Sequence, residues 1–148
     1  MRDVVSLVQG SPIRVEIPGC IVRPATGADL DSCNRVCTRV HGHDRGGQLL
    51  DAITQGAALV VERSGRVAGY ATSVGYSGHS VAETNDDLKA LIAAAPAYTG
   101  PGILAPGGNN ELMHWCPENG LRIVKNLTLM SLGLYNEPDG PFLPSILY

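Results

Sequence analysis

The chain has 148 residues, of which 44% are hydrophobic and 17% are charged, and its formal net charge is −3. This length and apolar content predict one folded domain with a sizeable core, and no apolar run approaches the roughly 18 residues that a membrane span requires. Because eleven basic residues are spread along a mildly acidic chain and the N-terminus lacks a signal-peptide pattern, we expect a cytoplasmic α/β protein with neither nucleic acid nor membrane as a partner.

The first nineteen residues predict an N-terminal arm. Val4–Val8 form a short apolar run that could make an extra strand, and glycine and proline interrupt the chain at positions 10–12 and 18–19. We therefore place a boundary before Cys20 and assign residues 20–148 to a single domain.

The segment from 20 to 55 predicts a strand followed by two helices. Residues 20–23 form a brief strand, and Thr26 caps a helix whose first turn holds Asp29. Gly42 ends this helix, and a second, shorter helix fits residues 47–55. The first helix carries one apolar stripe at helical spacing, made of Leu30, Cys33, Cys37 and Val40.

The next segment has the pattern of an antiparallel hairpin followed by a helix. Two apolar runs, 57–62 and 67–74, flank a Ser-Gly turn, and a further strand follows at 79–82. Thr84 or Asn85 caps the third helix, which ends at Pro96.

A strand at 103–105 and a fourth helix follow. This helix starts at Asn109 or Asn110 and closes at Gly120, and Pro117 should shorten or kink it. Two last strands are predicted at 121–124 and 126–135.

One group of residues has spacing that a metal site could use. Cys33, Cys37, His41 and His43 form C-x3-C-x3-H-x-H, which permits a zinc site on one helix face. The two cysteines share the apolar stripe, however, so we expect buried core thiols and no metal. Four cysteines are also too few and too irregularly spaced for a disulfide framework.

The order of predicted elements, together with three stretches of sequence, resembles the GCN5-related N-acetyltransferase (GNAT) superfamily. Residues 21–30 (IVRPATGADL) are similar to its opening I-R-x-A-x-x-x-D segment, 66–71 (RVAGYA) to its third strand, and 109–121 to its N-x-x-A…G-F segment. The tail from 133 onward resembles the C-terminal lobe of tandem-GNAT proteins. The resemblance implies a mixed, mostly antiparallel central sheet flanked by about four helices.

The resemblance implies acetyl transfer from acetyl-CoA to an amine. In that family the start of the third helix and the loop before it hold the pyrophosphate through backbone N–H groups, which implies that Thr84 and Asn85 bind acetyl-CoA. Asn109 matches the family's Asn and is assigned to the cofactor as well. The family's Tyr, which protonates the leaving thiolate in many members, corresponds to Cys116, which becomes the candidate acid.

The same resemblance implies places for the base and the acceptor. His79 and Glu83 lie where the hairpin meets the third helix, at the equivalent of the catalytic cleft, and are candidate bases; Glu83 could instead hold a cationic substrate. The loop between the first two helices borders the acceptor groove in the family. We therefore assign His43 and Asp44 to binding a small-molecule or peptide amine.

An alternative function follows from the residues before the third helix. Residues 82–87 contain neither the glycines nor the basic residue of the family's loop, and they place Glu83, Asp86 and Asp87 where a pyrophosphate would lie. Helix capping also explains these residues. The alternative is a non-catalytic GNAT-fold module for interaction or dimerisation. Apolar strands at 126–134 and 146–148 predict a homodimer through a sheet edge.

Overall fold

The structure is a computed structural model that describes residues 2–42, 46–130 and 140–144. Within these ranges the chain forms eight strands and four α-helices. The strands are β1 (Arg2–Gln9), β2 (Cys20–Pro24), β3 (Leu59–Arg63), β4 (Arg66–Ala71), β5 (Ser80–Ala82), β6 (Ile103–Pro106), β7 (Arg122–Met130) and β8 (Phe142–Leu143). The helices are α1 (Leu30–His41), which a 3-10 turn at Gly27–Asp29 precedes, α2 (Gly46–Thr54), α3 (Asn85–Ala94) and α4 (Asn110–Glu118).

The strands form two antiparallel sheets, with the orders β2-β3-β4-β5-β8 and β6-β1-β7. The predicted combination of about four helices with mostly antiparallel strands is confirmed, whereas the mixed sheet of the prediction is not: every ladder between the described strands is antiparallel. The single central sheet of the prediction is replaced by two. The division arises because β5 pairs with β8 and β6 pairs with β1, so that no ladder joins β5 to β6.

The segment predicted as an N-terminal arm forms the middle strand of the smaller sheet. β1 pairs antiparallel with β6 on one side and with β7 on the other. Its apolar residues Val5, Leu7 and Val8 are at most 5% exposed. Strand pairing on both sides, together with this burial, ties residues 2–9 to the core.

Helices cover both faces of the larger sheet. Successive strand residues point to opposite faces, so Val60 and Tyr70 pack with α1 and α2, whereas Val61 and Ala71 pack with α3 and α4. The predicted stripe of α1 lies in the first of these layers, where Cys33, Cys37 and Val40 are buried. The period of 3.6 residues therefore predicted the buried face of this helix correctly.

The last strands differ from the prediction in one detail. β7 runs without interruption from Arg122 to Met130, although a break was predicted at Lys125. Leu7 pairs with Lys125 and Val8 pairs with Ile123, so Val124 is an extra residue in the ladder, as in a β-bulge. Pairing with β1 on both sides of the bulge keeps the strand continuous.

Some predicted features lie outside the described residues. These are the loop residues His43 and Asp44, the end of the last predicted strand after 130, and the apolar residues 146–148. None of the helices in the described ranges is long and apolar enough to cross a membrane.

Candidate functional site

A cavity of about 620 Å³ lies where the first turns of α3 and α4 meet. Asn85 opens α3 and Asn109 caps α4, and Asn109 Nδ2 donates a hydrogen bond of 2.8 Å to Asn85 Oδ1. The two amides are 24 residues apart in the chain. Both line the cavity, together with Val4, residues 106–108, 110 and 111, and residues 140–142.

Local capping sets the direction of both helices. Thr84 Oγ1 accepts a hydrogen bond of 3.3 Å from the Asp87 N–H, and Asn109 Oδ1 accepts one of 3.2 Å from the Leu112 N–H. The sequence left Thr84 or Asn85 open for α3 and Asn109 or Asn110 for α4, and the structure has Thr84 and Asn109 as the caps. Thr84 itself is not among the residues that line the cavity. Of the three predicted cofactor residues, the structure therefore brings two, Asn85 and Asn109, to one site.

The acidic groups around the start of α3 and α4 have cationic partners. Asp87 is fully buried, and one of its oxygens lies 3.1 Å from Nε of Arg63. Lys89 Nζ lies 3.8 Å from an oxygen of Asp86 and 2.8 Å from an oxygen of Glu111. Paired carboxylates repel an incoming anion less than isolated ones do, because the nearby cation offsets their charge. The negative charge that the sequence places before and within α3 is thus largely compensated.

Glu83 lies in a second cavity, of about 400 Å³, within a group of arginines. Its Oε2 accepts hydrogen bonds from Nη1 of Arg39 (2.8 Å) and Nη1 of Arg66 (2.9 Å). Its Oε1 lies 2.7 Å from Nη2 of Arg66 and 3.8 Å from Nη2 of Arg63, so Arg66 contacts both oxygens. The hydrogen bond from Arg66, which outweighs the effect of burial, lowers the pKa of Glu83. At neutral pH this side chain is an ionised carboxylate, and a lowered pKa makes it a weaker base.

His79 is buried against a second histidine. It is 1% exposed, and its Nε2 lies 3.1 Å from Nε2 of His41 at the end of α1. The two rings are 5.1 Å apart, and Tyr70 and Phe142 pack edge-on against His79 and His41, respectively. From the sequence, His41 was considered as a member of the zinc spacing with Cys33, Cys37 and His43. Its contact with His79 could not be predicted from the spacing of neighbouring residues, because the two histidines are 38 positions apart in the chain.

Cys116 is part of the core. It is 1% exposed and packs with Leu88, Leu91 and Leu112 in the layer between the sheet and the helices α3 and α4. Burial raises the pKa of its thiol to about 11, so the thiol is protonated at neutral pH. The three predicted catalytic side chains, those of Glu83, His79 and Cys116, thus have different surroundings, and their roles stay predictions.

Three of the four residues that were considered for zinc lie on the buried side of α1. Cys33 and Cys37 point into the core beneath α1, and His41 faces His79. Within the described ranges there is no group of three or more His, Cys, Asp or Glu side chains that could hold a metal ion. His43 lies outside those ranges.

In its described part the chain is therefore an α+β protein with two antiparallel sheets, a cavity between the starts of α3 and α4 and a second cavity lined by arginines and carboxylates. No protein-family model matches the chain, and no curated protein sequence matches it significantly. A proposal for the function is therefore based on the geometry of the two cavities and on the resemblance in the sequence.

Proposed function

We propose that this chain is a GNAT-like domain that binds an acyl-CoA in the cavity between α3 and α4 and serves acyl transfer to an amine. The observation that carries the proposal is the contact between Asn85 and Asn109 on the wall of that cavity. Both residues were assigned to the cofactor from the sequence alone. Their meeting at one cavity supports that assignment.

The physical setting of the cavity suits an anionic, nucleotide-sized ligand. The N-termini of α3 and α4 open beside it, and each helix N-terminus favours an anion by about 0.3–1 kcal/mol. Ion pairs reduce the repulsion that such a ligand would meet from the nearby carboxylates. Asp87 is paired with Arg63, and Asp86 and Glu111 are paired with Lys89. The volume lies within the range of small-molecule sites.

The reaction requires one proton acceptor and one proton donor. The amine nitrogen attacks the thioester carbonyl carbon, the C–N bond forms and the C–S bond breaks; a base takes the amine proton, and the departing thiolate takes a proton from an acid. His79 and Glu83 remain the candidate bases, and Cys116 remains the candidate acid. The described contacts support cofactor binding more directly than they support these catalytic roles.

A second candidate is a non-catalytic interaction module. The observation that favours it is the exposed strand β7, where Ile123 and Val124 are 45% and 48% exposed. The separate surroundings of Glu83, His79 and Cys116 are also compatible with a fold that does no chemistry. In this case the cavity binds no acyl-CoA.

Titration with acetyl-CoA distinguishes the two functions. At a hundred times its dissociation constant, a bound ligand adds about 2.7 kcal/mol to the free energy of unfolding, which thermal denaturation detects. Gly108→Glu should weaken binding by about tenfold or more, because it adds a carboxylate at the cavity where a side chain meets no neighbouring atom.

Gly47→Glu is the matched control. It adds the same charge on α2, also without a steric clash, at a position that lines neither cavity. Acetyl-CoA should stabilise this variant as it stabilises the wild type. No stabilisation of the wild type at millimolar acetyl-CoA would exclude the acyltransferase proposal. Binding without thiol release across a panel of primary amines would support a binding domain that has lost its chemistry.

A further inference from the structure

We propose that the second cavity is a separate binding site for a phosphate group on a small molecule, held by Arg35, Arg39 and Arg66. The site shares no lining residue with the acyl-CoA cavity, so the proposal is independent of that function. Four arginines and three carboxylates line it, which leaves one net positive charge on a chain whose total charge is −3.

Glu83 holds two of these arginines side by side. Arg39 comes from α1 and Arg66 from the start of β4, and both donate to the same carboxylate oxygen, at 2.8 and 2.9 Å. The Glu83 side chain is 9% exposed, so this anchor is largely shielded from water. One carboxylate compensates only one of the two positive charges. A surplus cation with a fixed position therefore remains at the cavity.

Arg39 contacts Glu83 through Nη1, whereas Arg66 contacts both carboxylate oxygens through Nη1 and Nη2. A guanidinium has five N–H donors, and the side chains of Arg39 and Arg66 are 67% and 58% exposed despite their contacts with the carboxylate. Arg35 lies one helical turn before Arg39, and among the described residues its hydrogen-bond partner is Ser32 Oγ at 3.0 Å, with no carboxylate beside it. It adds a second surplus cation, while Asp29 and Glu62 share the single charge of Arg23, so the cavity as a whole keeps one net positive charge.

Arg23, in the same cavity, shows the contrast. It donates to both oxygens of Asp29 at 2.8 Å and also to Glu62, so its charge is compensated within the protein. The donors with the least internal compensation are therefore those of Arg35 and Arg39, and Arg66, although it contacts both oxygens of Glu83, adds the N–H groups of a side chain that is 58% exposed. These donors lie on two elements, α1 and β4, and can therefore reach several of the tetrahedrally arranged oxygens of a phosphate. A planar carboxylate needs fewer donors, because the two parallel N–H groups of one guanidinium already bind both of its oxygens.

Isothermal titration of the full chain with inorganic phosphate tests the proposal, with succinate as the carboxylate probe and sodium chloride to match ionic strength. We expect saturable binding of phosphate. Arg35→Gln should weaken it by about tenfold or more, because a hydrogen bond to a charged group is lost. The fold should persist in this variant, since Ser32 is the side-chain partner of Arg35. Arg122→Gln, which removes an exposed arginine from β7, is the matched control and should bind as the wild type does.

Four results would overturn the proposal. The first is the absence of saturable binding at millimolar phosphate, and the second is equal binding by Arg35→Gln and the wild type. The third is succinate binding as tight as phosphate binding, which would show a general anion site. The fourth is binding that Gly108→Glu abolishes and Arg35→Gln leaves intact, because it would place the phosphate in the acyl-CoA cavity. Failure of acetyl-CoA binding leaves this test unaffected, because the two ligands are titrated separately.

Discussion

Asp29 joins the start of α1 to the edge strand β2. Its carboxylate accepts hydrogen bonds of 2.8 Å from Nη1 and Nη2 of Arg23, and another of 2.8 Å from the Thr26 N–H. The bond from Arg23 is the main reason that the pKa of Asp29 is lowered to about 2. Its side chain is only 9% exposed, so water screens these interactions weakly.

Replacement of Asp29 by Asn should lower the free energy of unfolding by about 2 kcal/mol at pH 7. The folded-state pKa lies below the usual value of 3.8, so the stabilisation is complete above that pH and is lost as the pH falls towards 2. The difference between wild type and variant in urea denaturation should therefore shrink over this interval. Asp31→Asn, at an exposed position two residues further along the chain, is the control and should change stability little at either pH. A difference that persists below pH 2 would contradict the ion-pair explanation.

Side-chain contacts differ in how far the sequence predicts them. The link between Thr26 and Asp29 and that between Thr84 and Asp87 both span three positions. Capping preferences predicted the first and offered Thr84 as one of two caps for the second. The contact of Glu83 with Arg39 spans 44 positions. It depends on the packing of α1 against β5, and no local pattern encodes that packing.

Gly69 is a glycine in the middle of strand β4, at a position where the neighbouring strand leaves no room for a side chain. It lies in β4 opposite Ala82 of β5. A Cβ at this position would come within 2.8 Å of the Ala82 Cβ and 2.9 Å of the Val81 carbonyl oxygen. The close approach of β4 and β5 therefore requires glycine, without any unusual backbone angle.

Gly69→Ala should destabilise the protein by about 1–3 kcal/mol, because the added methyl group forces the two strands apart. Chemical denaturation measures the loss. Gly47→Ala is the control: its Cβ would meet no neighbouring atom and it lies in α2, so the variant should be equally stable or more stable by about 1 kcal/mol. Equal stability of Gly69→Ala and the wild type would show that β4 and β5 separate easily.

At the scale of the whole molecule, β7 forms one edge of the smaller sheet. It pairs with β1 on one side, and the side chains of residues 122–126 are exposed within the described part of the chain. Exposed edge strands with apolar side chains favour pairing with another chain. This supports the homodimer that the sequence predicts, which stays a proposal.

Val124→Lys should turn the expected dimer into a monomer. The lysine adds a charge to the pairing surface and costs the isolated chain little, because Val124 is already half exposed; we expect the dissociation constant to rise by about tenfold or more. Size-exclusion chromatography with light scattering measures the mass. Ile21→Lys, on β2 at an edge of the larger sheet and 66% exposed, is the control and should stay dimeric. A monomeric wild type at high concentration would refute the dimer, and dissociation of Ile21→Lys instead would place the interface on β2.

Local periodicity and capping determined most elements of this protein from the sequence. These elements depend on interactions between residues that are close together in the chain. Examples are the stripe of α1, the hairpin of β3 and β4, and the caps Thr84 and Asn109. Asn85 and Asn109 were also predicted as site residues, though from the resemblance.

Tertiary structure alone decided the division into two sheets and the partners at both cavities. Three features join residues that are far apart in the chain. They are the insertion of β1 between β6 and β7, the pairing of His41 with His79 and the arginine group around Glu83. Their energy comes from strand pairing and from charges brought together by packing. Such contacts depend on how the helices cover the sheet, so the composition, from which we expected no nucleic-acid partner, gave no indication of an arginine-lined cavity.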